Sequence, residues 1–205
     1  NGIKIDGDKI LSTASLVSVA GTLTIDGETD IRNGNNSSSS GGGAIYVNAD
    51  ATLNVNGGRI EDNVAINGGA IATGVVTPVI NISGGSIKGN RASKDGGAIF
   101  SNSAILHISG GTLESNIAGS NGGAICAEGI QKEFGRHSKV YVEGGTFRGN
   151  SWGGNGGGAI YVAFFSVLYV GEKGGRPLFE NNRTSQLGGA IALYQWASGK
   201  IYSAD

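Results

Sequence analysis

The chain has no methionine, one cysteine, two prolines and two histidines in 205 residues, and each scarcity removes a class of explanation. A single cysteine, Cys126, excludes an internal disulfide framework and a thiolate zinc site. With His107 and His137 it makes no spaced metal-ligand set, so neither metal nor cofactor is expected. No run approaches the roughly 18 apolar residues of a membrane span, so this segment is not expected to insert into a bilayer. Fifteen basic against 16 acidic residues leave a net charge of −1. That gives no long-range field for steering towards nucleic acid or an anionic membrane. The Gly-Lys-Ser/Thr ending of a phosphate loop and the calcium-binding nonapeptide are missing, and Asp6-Gly7-Asp8 alone is too little for a metal site. Repeated Thr-x-Thr columns are missing too; Thr22 and Thr24 stand alone. The chain opens on Asn1 with no secretory leader, which is read as a piece processed or excised from a longer protein.

Glycine is abundant, at 39 residues, but it comes in pairs at long intervals and not at every third position, so collagen is excluded. Gly-Gly-Ala-Ile recurs at 42–45, 68–71, 96–99, 122–125, 157–160 and 188–191, its alanines 26, 28, 26, 35 and 31 residues apart. Loops absorb such variation. Alternating segments lie between the markers: Leu53-Asn54-Val55, Ile80-Asn81-Ile82, Leu106-His107-Ile108, Val140-Tyr141-Val142 and Leu168-Tyr169-Val170. A third signature, Φ-x-x-Asn, ends at Asn63, Asn90, Asn116, Asn150 and Asn182. Three short strands per repeat cannot bury an apolar face alone. Stacked, they give an all-β, right-handed parallel β-helix (β-solenoid) of about seven coils, each about 4.8 Å from the next, and a rod about 35 Å long. Residues 16–32 read as a degenerate first coil and 1–15 as a lead-in or cap. The helix then runs over 16–205, its last coil truncated: Lys200-Ile201-Tyr202 is its second strand, and no third follows.

Alternation sends Ile45, Leu53, Val55, Ile60 and their equivalents inward. The asparagines at 63, 90, 116, 150 and 182 share one corner, where stacked amides satisfy each other, so the ladder is structural. Outward on the same strands are Arg32, Glu61, Lys88, Glu114, Arg148 and Glu180, alternating in sign at every coil. This reads as a register device and not a ligand site. An outward column on the second strands is expected to hold Asn54, Asn81, His107, Tyr141, Tyr169 and Tyr202. On the first strands Ala44, Ala70, Ala98, Ala124, Ala159 and Ala190 are expected to face outward. Beside them lie Tyr46, Ala72, Phe100, Cys126, Tyr161 and Ala192. Rings beside a flat alanine column make an apolar strip that either receives a partner or is covered by a flanking loop or domain. The two long coils are read as carrying insertions after the first strand, at 128–139 and at 163–166. Phe134, Arg136, His137, Phe164 and Phe165 there form an aromatic and basic patch, or else tuck the loop against the stack.

The combination of Gly-Gly-Ala-Ile with Phe-x-x-Asn, as in Phe147-Arg148-Gly149-Asn150 and Phe179-Glu180-Asn181-Asn182, resembles the repeats of chlamydial polymorphic outer membrane proteins. Ser109-Gly110-Gly111-Thr112-Leu113-Glu114-Ser115-Asn116 is similar to repeats of large secreted surface proteins of anaerobic bacteria. The resemblance covers the chain from about Leu16 onward. It implies a secreted, cell-surface location and a non-catalytic adhesin or stalk module. The partner would be a host or environmental glycan or protein, or an adjacent domain of the same chain. The alternative is a polysaccharide lyase or glycoside hydrolase of the pectin-degrading β-helix type, since fold does not decide function. That chemistry needs paired carboxylates across a cleft or clustered acidic calcium ligands. No catalytic residue is assigned, because the acidic side chains are spread one per two coils with cations between them.

Overall fold

In the computed structural model, which describes residues 2–130, 137–154 and 156–202, short β-branched and aliphatic segments stack coil upon coil. Among the described residues all strand pairs are parallel and fall into four sheets, three of seven strands and one of six. The chain is a β-solenoid of about seven turns. The first sheet holds the strands that follow each glycine pair, such as Ile45–Val47, Ile71–Thr73, Ile99–Asn102, Ile125–Glu128, Ile160–Val162 and Ile191–Leu193. The second runs through Thr52–Val55, Val79–Ile82, Ile105–Ile108, Lys139–Val142, Val167–Val170 and Ser198–Ile201. The third includes Lys4–Asp6, Asp30–Arg32, Arg59–Glu61, Ser86–Lys88, Thr112–Glu114, Thr146–Arg148 and Leu178–Glu180.

The fourth sheet has no counterpart among the three strands per repeat expected from the sequence. Its strands, among them Val64–Ala65, Arg91–Ala92, Ile117–Ala118 and Ser151–Trp152, are two residues long. That is too short for alternation to show. The segment expected as a lead-in supplies Lys4–Asp6, paired with Asp30–Arg32, and Leu11–Ser12, paired with Asn35–Asn36.

Columns of like residues fill the interior. Leu53, Ile80, Leu106, Val140 and Leu168 are in register, as are Ile60, Ile87, Leu113 and Phe147, and all are buried. Phe147 stacks on Phe179 with centroids 4.8 Å apart. Five of the six repeat alanines, Ala44, Ala70, Ala98, Ala124 and Ala159, expected outward, are instead fully buried in this core together with the isoleucines that follow them, and Ala190 in the last coil is half-buried. Each sits at a corner, where two successive residues can both turn inward.

The corners explain the signatures. The first glycine of each pair from Gly68 onward has positive φ, between 60° and 76° at Gly68, Gly96, Gly122, Gly157 and Gly188, a region L-residues avoid. The second has a different constraint. A Cβ on Gly97 would lie 2.1 Å from the Gly123 carbonyl and 2.6 Å from the Ile117 backbone, so the fourth sheet passes too close for any side chain. As at Asn33 before Gly34, the second x of Φ-x-x-Asn is left-handed in all five copies, and is Asp62, Gly89, Ser115, Gly149 or Asn181.

The asparagine after that residue is the ladder. Asn63, Asn90, Asn116 and Asn150 each donate Nδ2 to the Oδ1 of the next, ending at Asn182, at 2.9 to 3.1 Å. The same Oδ1 atoms accept the preceding asparagine's backbone N–H. Asn116 also donates to the Ile87 carbonyl. Replacing it with alanine strands donors on Asn90 and acceptors on Ile87 and Asn150 in a buried site, at about 1–3 kcal/mol each. Asn116→Ala is therefore expected to cost 3 kcal/mol or more, roughly, in chemical denaturation at unchanged slope. Asn182→Ala, at the half-exposed end of the ladder, should cost less. Equal losses at the two positions would refute a cooperative ladder.

On the outer face of the third sheet the alternating charges are in register from Asp6 through Arg32, Glu61, Lys88, Glu114 and Arg148 to Glu180. Ion pairs close at Arg32–Asp6 (3.0 Å), Lys88–Glu114 (3.6 Å) and Arg148–Glu180 (2.8 Å). These pairs are solvent-screened, so Lys88→Ala should cost under about 0.5 kcal/mol. Lys88→Glu, placed between Glu61 and Glu114, should cost about 0.5–1 kcal/mol more, a difference that shrinks in high salt. Equal melting temperatures for the two variants at low salt would contradict it.

Candidate functional site

The outward residues of the first sheet form one register column: Tyr46, Ala72, Phe100, Cys126, Tyr161 and Ala192. It is not a bare strip. The chain approaching each glycine pair crosses over the outside of this sheet, where Asp95, Asn121, Gly156 and Leu187 bridge one another coil to coil. Beneath that layer Cys126, Tyr161, Ala163 and Ala192 form a second buried cluster, with Phe100 and Phe164 packed against it. Tyr161 is only 4% exposed, and Tyr46 and Phe100 are half-buried. Tyr46 is also five strands from Ala192, about 24 Å along the axis. Of the described site residues singled out from the sequence, Phe100, Tyr161 and Phe164 share this buried cluster, and Tyr46 lies four strands from Tyr161, about 19 Å along the axis.

What the structure gathers is at the corner between the first and second sheets. Phe164 and Phe165 have φ of 51° and 64°, and Gln195 and Trp196 one coil later have 41° and 63°. Ser166 N–H donates to Ala163 C=O, and Ala197 N–H to Tyr194 C=O. These are turns with both central residues left-handed, a geometry that ordinarily selects Asn-Gly. Each bulky residue there costs about 1–2 kcal/mol. Trp196 stacks on Phe165 at 5.2 Å and 6°, and Tyr194 leans on Tyr161 at 6.2 Å. Trp196 is 73% exposed and Tyr194 44%. Tyr194 and Trp196 were not among the residues singled out from the sequence, although the Tyr194-Gln195-Trp196 cluster was there to be read.

The register also corrects the insertions. Ala163 to Ser166 is no insertion: Val162 pairs with Ala127 and Val167 with Lys139, leaving four residues at 163–166, as at 48–51 between Ile45–Val47 and Thr52–Val55. The extra length lies at 171–177, seven residues where the preceding coil has three, at 143–145. The insertion at 129–138 holds. Phe134 and Arg136 fall outside the described residues. His137 is half-buried beside Ser138, whose hydroxyl bonds Ser101 Oγ (2.8 Å) and the Glu128 carbonyl (2.9 Å) and whose N–H donates to Ser166 Oγ (3.0 Å). That ties the returning end of the loop to the stack.

Acidic groups lie behind the aromatic column. The Cys126 thiol, which burial pushes up, donates to Glu128 Oε1 at 3.7 Å. Burial and the Asp95 charge raise the Glu128 carboxyl to about 7. Burial raises Asp95 as well, opposed by hydrogen bonds to Asn121. Burial and the neighbouring acidic groups push the Tyr161 phenol up. On the second sheet His107, Tyr141 and Tyr169 stack at 4.8 and 5.1 Å. This column continues to Lys200 and not to Tyr202 as expected, because Val170 pairs with Ile201. No group of three or more His, Cys, Asp or Glu side chains suited to a metal ion occurs among the described residues. No described helix is long and apolar enough to cross a membrane.

A carboxyl whose pKa is raised on folding binds its proton more tightly in the folded chain than in the unfolded one. Stability therefore falls as pH rises from the ordinary value of 4.5 through about 7. Asp6 acts with the opposite sign: hydrogen bonds from Asn33 and the Asp8 amide, with the Arg32 contact, hold it far below the usual range. It titrates below about pH 4, outside the window. His107, whose pKa burial and the Lys173 charge lower, opposes this inside the window, so the Glu128 contribution is read by difference: Glu128→Gln should remove a fall of about 3–8 °C in melting temperature between pH 5 and pH 7.5 relative to the parent. A variant profile parallel to the wild type would show that Glu128 is not the titrating group.

Two adjacent stretches of the chain, 84–102 and 110–128, match the Chlamydia polymorphic membrane protein repeat. Each begins in the glycine pair before a third-sheet strand and runs through the ladder asparagine to the Gly-Gly-Ala-Ile strand. No curated protein and no solved structure matches the chain.

Proposed function

We propose that this chain, built on repeats of the polymorphic membrane protein type, is a non-catalytic, surface-exposed adhesin-like module of a secreted bacterial protein. It engages a glycan or protein partner through the aromatic corner formed by Phe164, Phe165, Tyr194 and Trp196. The observation that carries this reading is the pair of strained turns. Two adjacent coils hold large side chains in left-handed backbone to present stacked rings, one of them a largely exposed tryptophan. Stacking returns about 0.5–1.5 kcal/mol, less than the conformational cost of four left-handed residues, and strain kept against stability is a mark of function. Rings on a stacked scaffold lose little freedom on binding, and aromatic anchors dominate binding energy where they occur.

The family match supports the surface location and the non-enzymatic character. Asp95 and Glu128, whose charges act on Tyr161, make hydrogen bonds with Asn121 and Cys126 within the fold, an arrangement suited to structure. The test is adhesion to cells and glycan arrays, with Trp196→Ala and Phe165→Ala beside the parent chain. Each substitution should weaken retention at least about tenfold, as for an aromatic anchor, without lowering the melting temperature. Normal binding by both folded variants would place the partner elsewhere. Time-dependent cleavage of an acidic polysaccharide would replace this reading with the enzymatic one.

A further inference from the structure

We infer that the cleft under the 171–177 turn binds a single neutral hexose unit. It lies at the corner between the second and third sheets, away from the aromatic turns, and does not depend on them. The four extra residues of this turn fold back over the preceding coil. Gly175 lies against the Glu143 backbone, so close that a Cβ would overlap the Glu143 carbonyl, and Lys173 N–H donates to Glu143 Oε2 at 2.9 Å. Beneath this cover is a cavity of about 350 Å³ lined by His107, Ser109, Tyr141, Glu143, Lys173 and Gly175. That volume is at the small end of ligand sites and suits one ring.

The chemistry of the walls narrows the occupant. Glu143 Oε1 is buried and accepts no hydrogen bond from the described residues, an unmet demand that a ligand hydroxyl would satisfy. Burial and the nearby Lys173 charge lower the His107 pKa, so at neutral pH its imidazole offers one donor and one acceptor. The stack of His107 on Tyr141 on Tyr169 holds these rings in place before any ligand arrives. Tyr141 is stacked on both faces and His107 on one, so Tyr141 presents its edge to the cleft and the recognition there is polar. Glu143 and Lys173 contribute one charge of each sign, which selects no ionic ligand. A polyhydroxyl ring supplies the hydroxyl donors that Glu143 lacks and oxygen acceptors for Lys173 and His107.

Amide NMR of the whole chain, titrated separately with glucose, galactose, mannose, N-acetylglucosamine and glucuronate, tests this. At least one neutral sugar should give saturable shifts at the Lys173, Gly174 and Gly175 amides below about 100 mM, as for a millimolar site. Glu143→Gln keeps the acceptor for Lys173 N–H but puts an N–H₂ group where the free oxygen was, and should weaken binding at least about tenfold. Ser109→Tyr, at an exposed position on the rim, should abolish it. The inference is overturned if no neutral sugar shifts those amides, if only glucuronate does, or if both folded variants bind as the parent does. Shifts confined to Tyr194 and Trp196 would count against the cleft while supporting the aromatic corner.

Discussion

Everything in this molecule depends on each coil staying in register with the next, and the buried amide ladder from Asn63 to Asn182 enforces that register most strictly. Strand pairing alone tolerates slippage, since one column of isoleucine or leucine resembles its neighbour. An asparagine amide does not. It must give to one coil and accept from another, and it also holds a backbone carbonyl of the preceding coil, as Asn90 holds that of Ile60. A slipped coil would leave those groups unpaired in a dry corner. The alternating charges on the outer face add a second, weaker penalty of the same kind.

Fixed register along four sheets leaves the corners as the places where the chain can vary. The corner before the first-sheet strands Ile71–Thr73, Ile99–Asn102, Ile125–Glu128 and Ile160–Val162 cannot: its glycines are held by left-handed φ at one position and by close backbone contact at the next. The other corners are freer. Insertions occur at 129–138 after Ile125–Glu128 and at 171–177 after Val167–Val170. The aromatic turns use no insertion at all; they replace residues in a turn of ordinary length. Function is placed here by what the scaffold does not constrain.

The fold was legible because a solenoid writes its period into the sequence. Gly-Gly-Ala-Ile and Φ-x-x-Asn each mark a corner with a physical requirement, so their spacing reports coil length directly. The fourth sheet was not legible, since two residues such as Val64–Ala65 carry no periodicity. The repeat alanines misled for a related reason. Strict alternation predicts Ala44 outward if Ile45 is inward, yet a corner breaks alternation and both are buried. The candidate site was legible only in part. Tyr161, Phe164 and Phe165 were identifiable as aromatic residues near the fifth and sixth coils. Their partners Tyr194 and Trp196 become visible only once Val162 is known to pair with Leu193. The length of the sixth coil was assigned to the wrong corner, because a count between alanines says how many residues are extra and not where they sit.

The aromatic corner and the 171–177 cleft both lie towards the later coils, and the mechanics of a stack make that arrangement stable. Each coil touches only its neighbours, so stability is close to a sum of local terms. Left-handed phenylalanine and tryptophan turns, a carboxylate oxygen without a partner among the described residues and a raised Glu128 are each unfavourable. They are spread over separate corners and faces of a few adjacent coils, and the interior columns beneath them are continuous. In a globular domain with one shared core, several such defects near one another would compound through common packing. Here Leu168 and Val170 stay buried under the same turn that leaves Glu143 Oε1 without a hydrogen bond from the described residues. The interior and the ladder supply the rigidity, and the corners hold strained and polar groups that a binding surface requires.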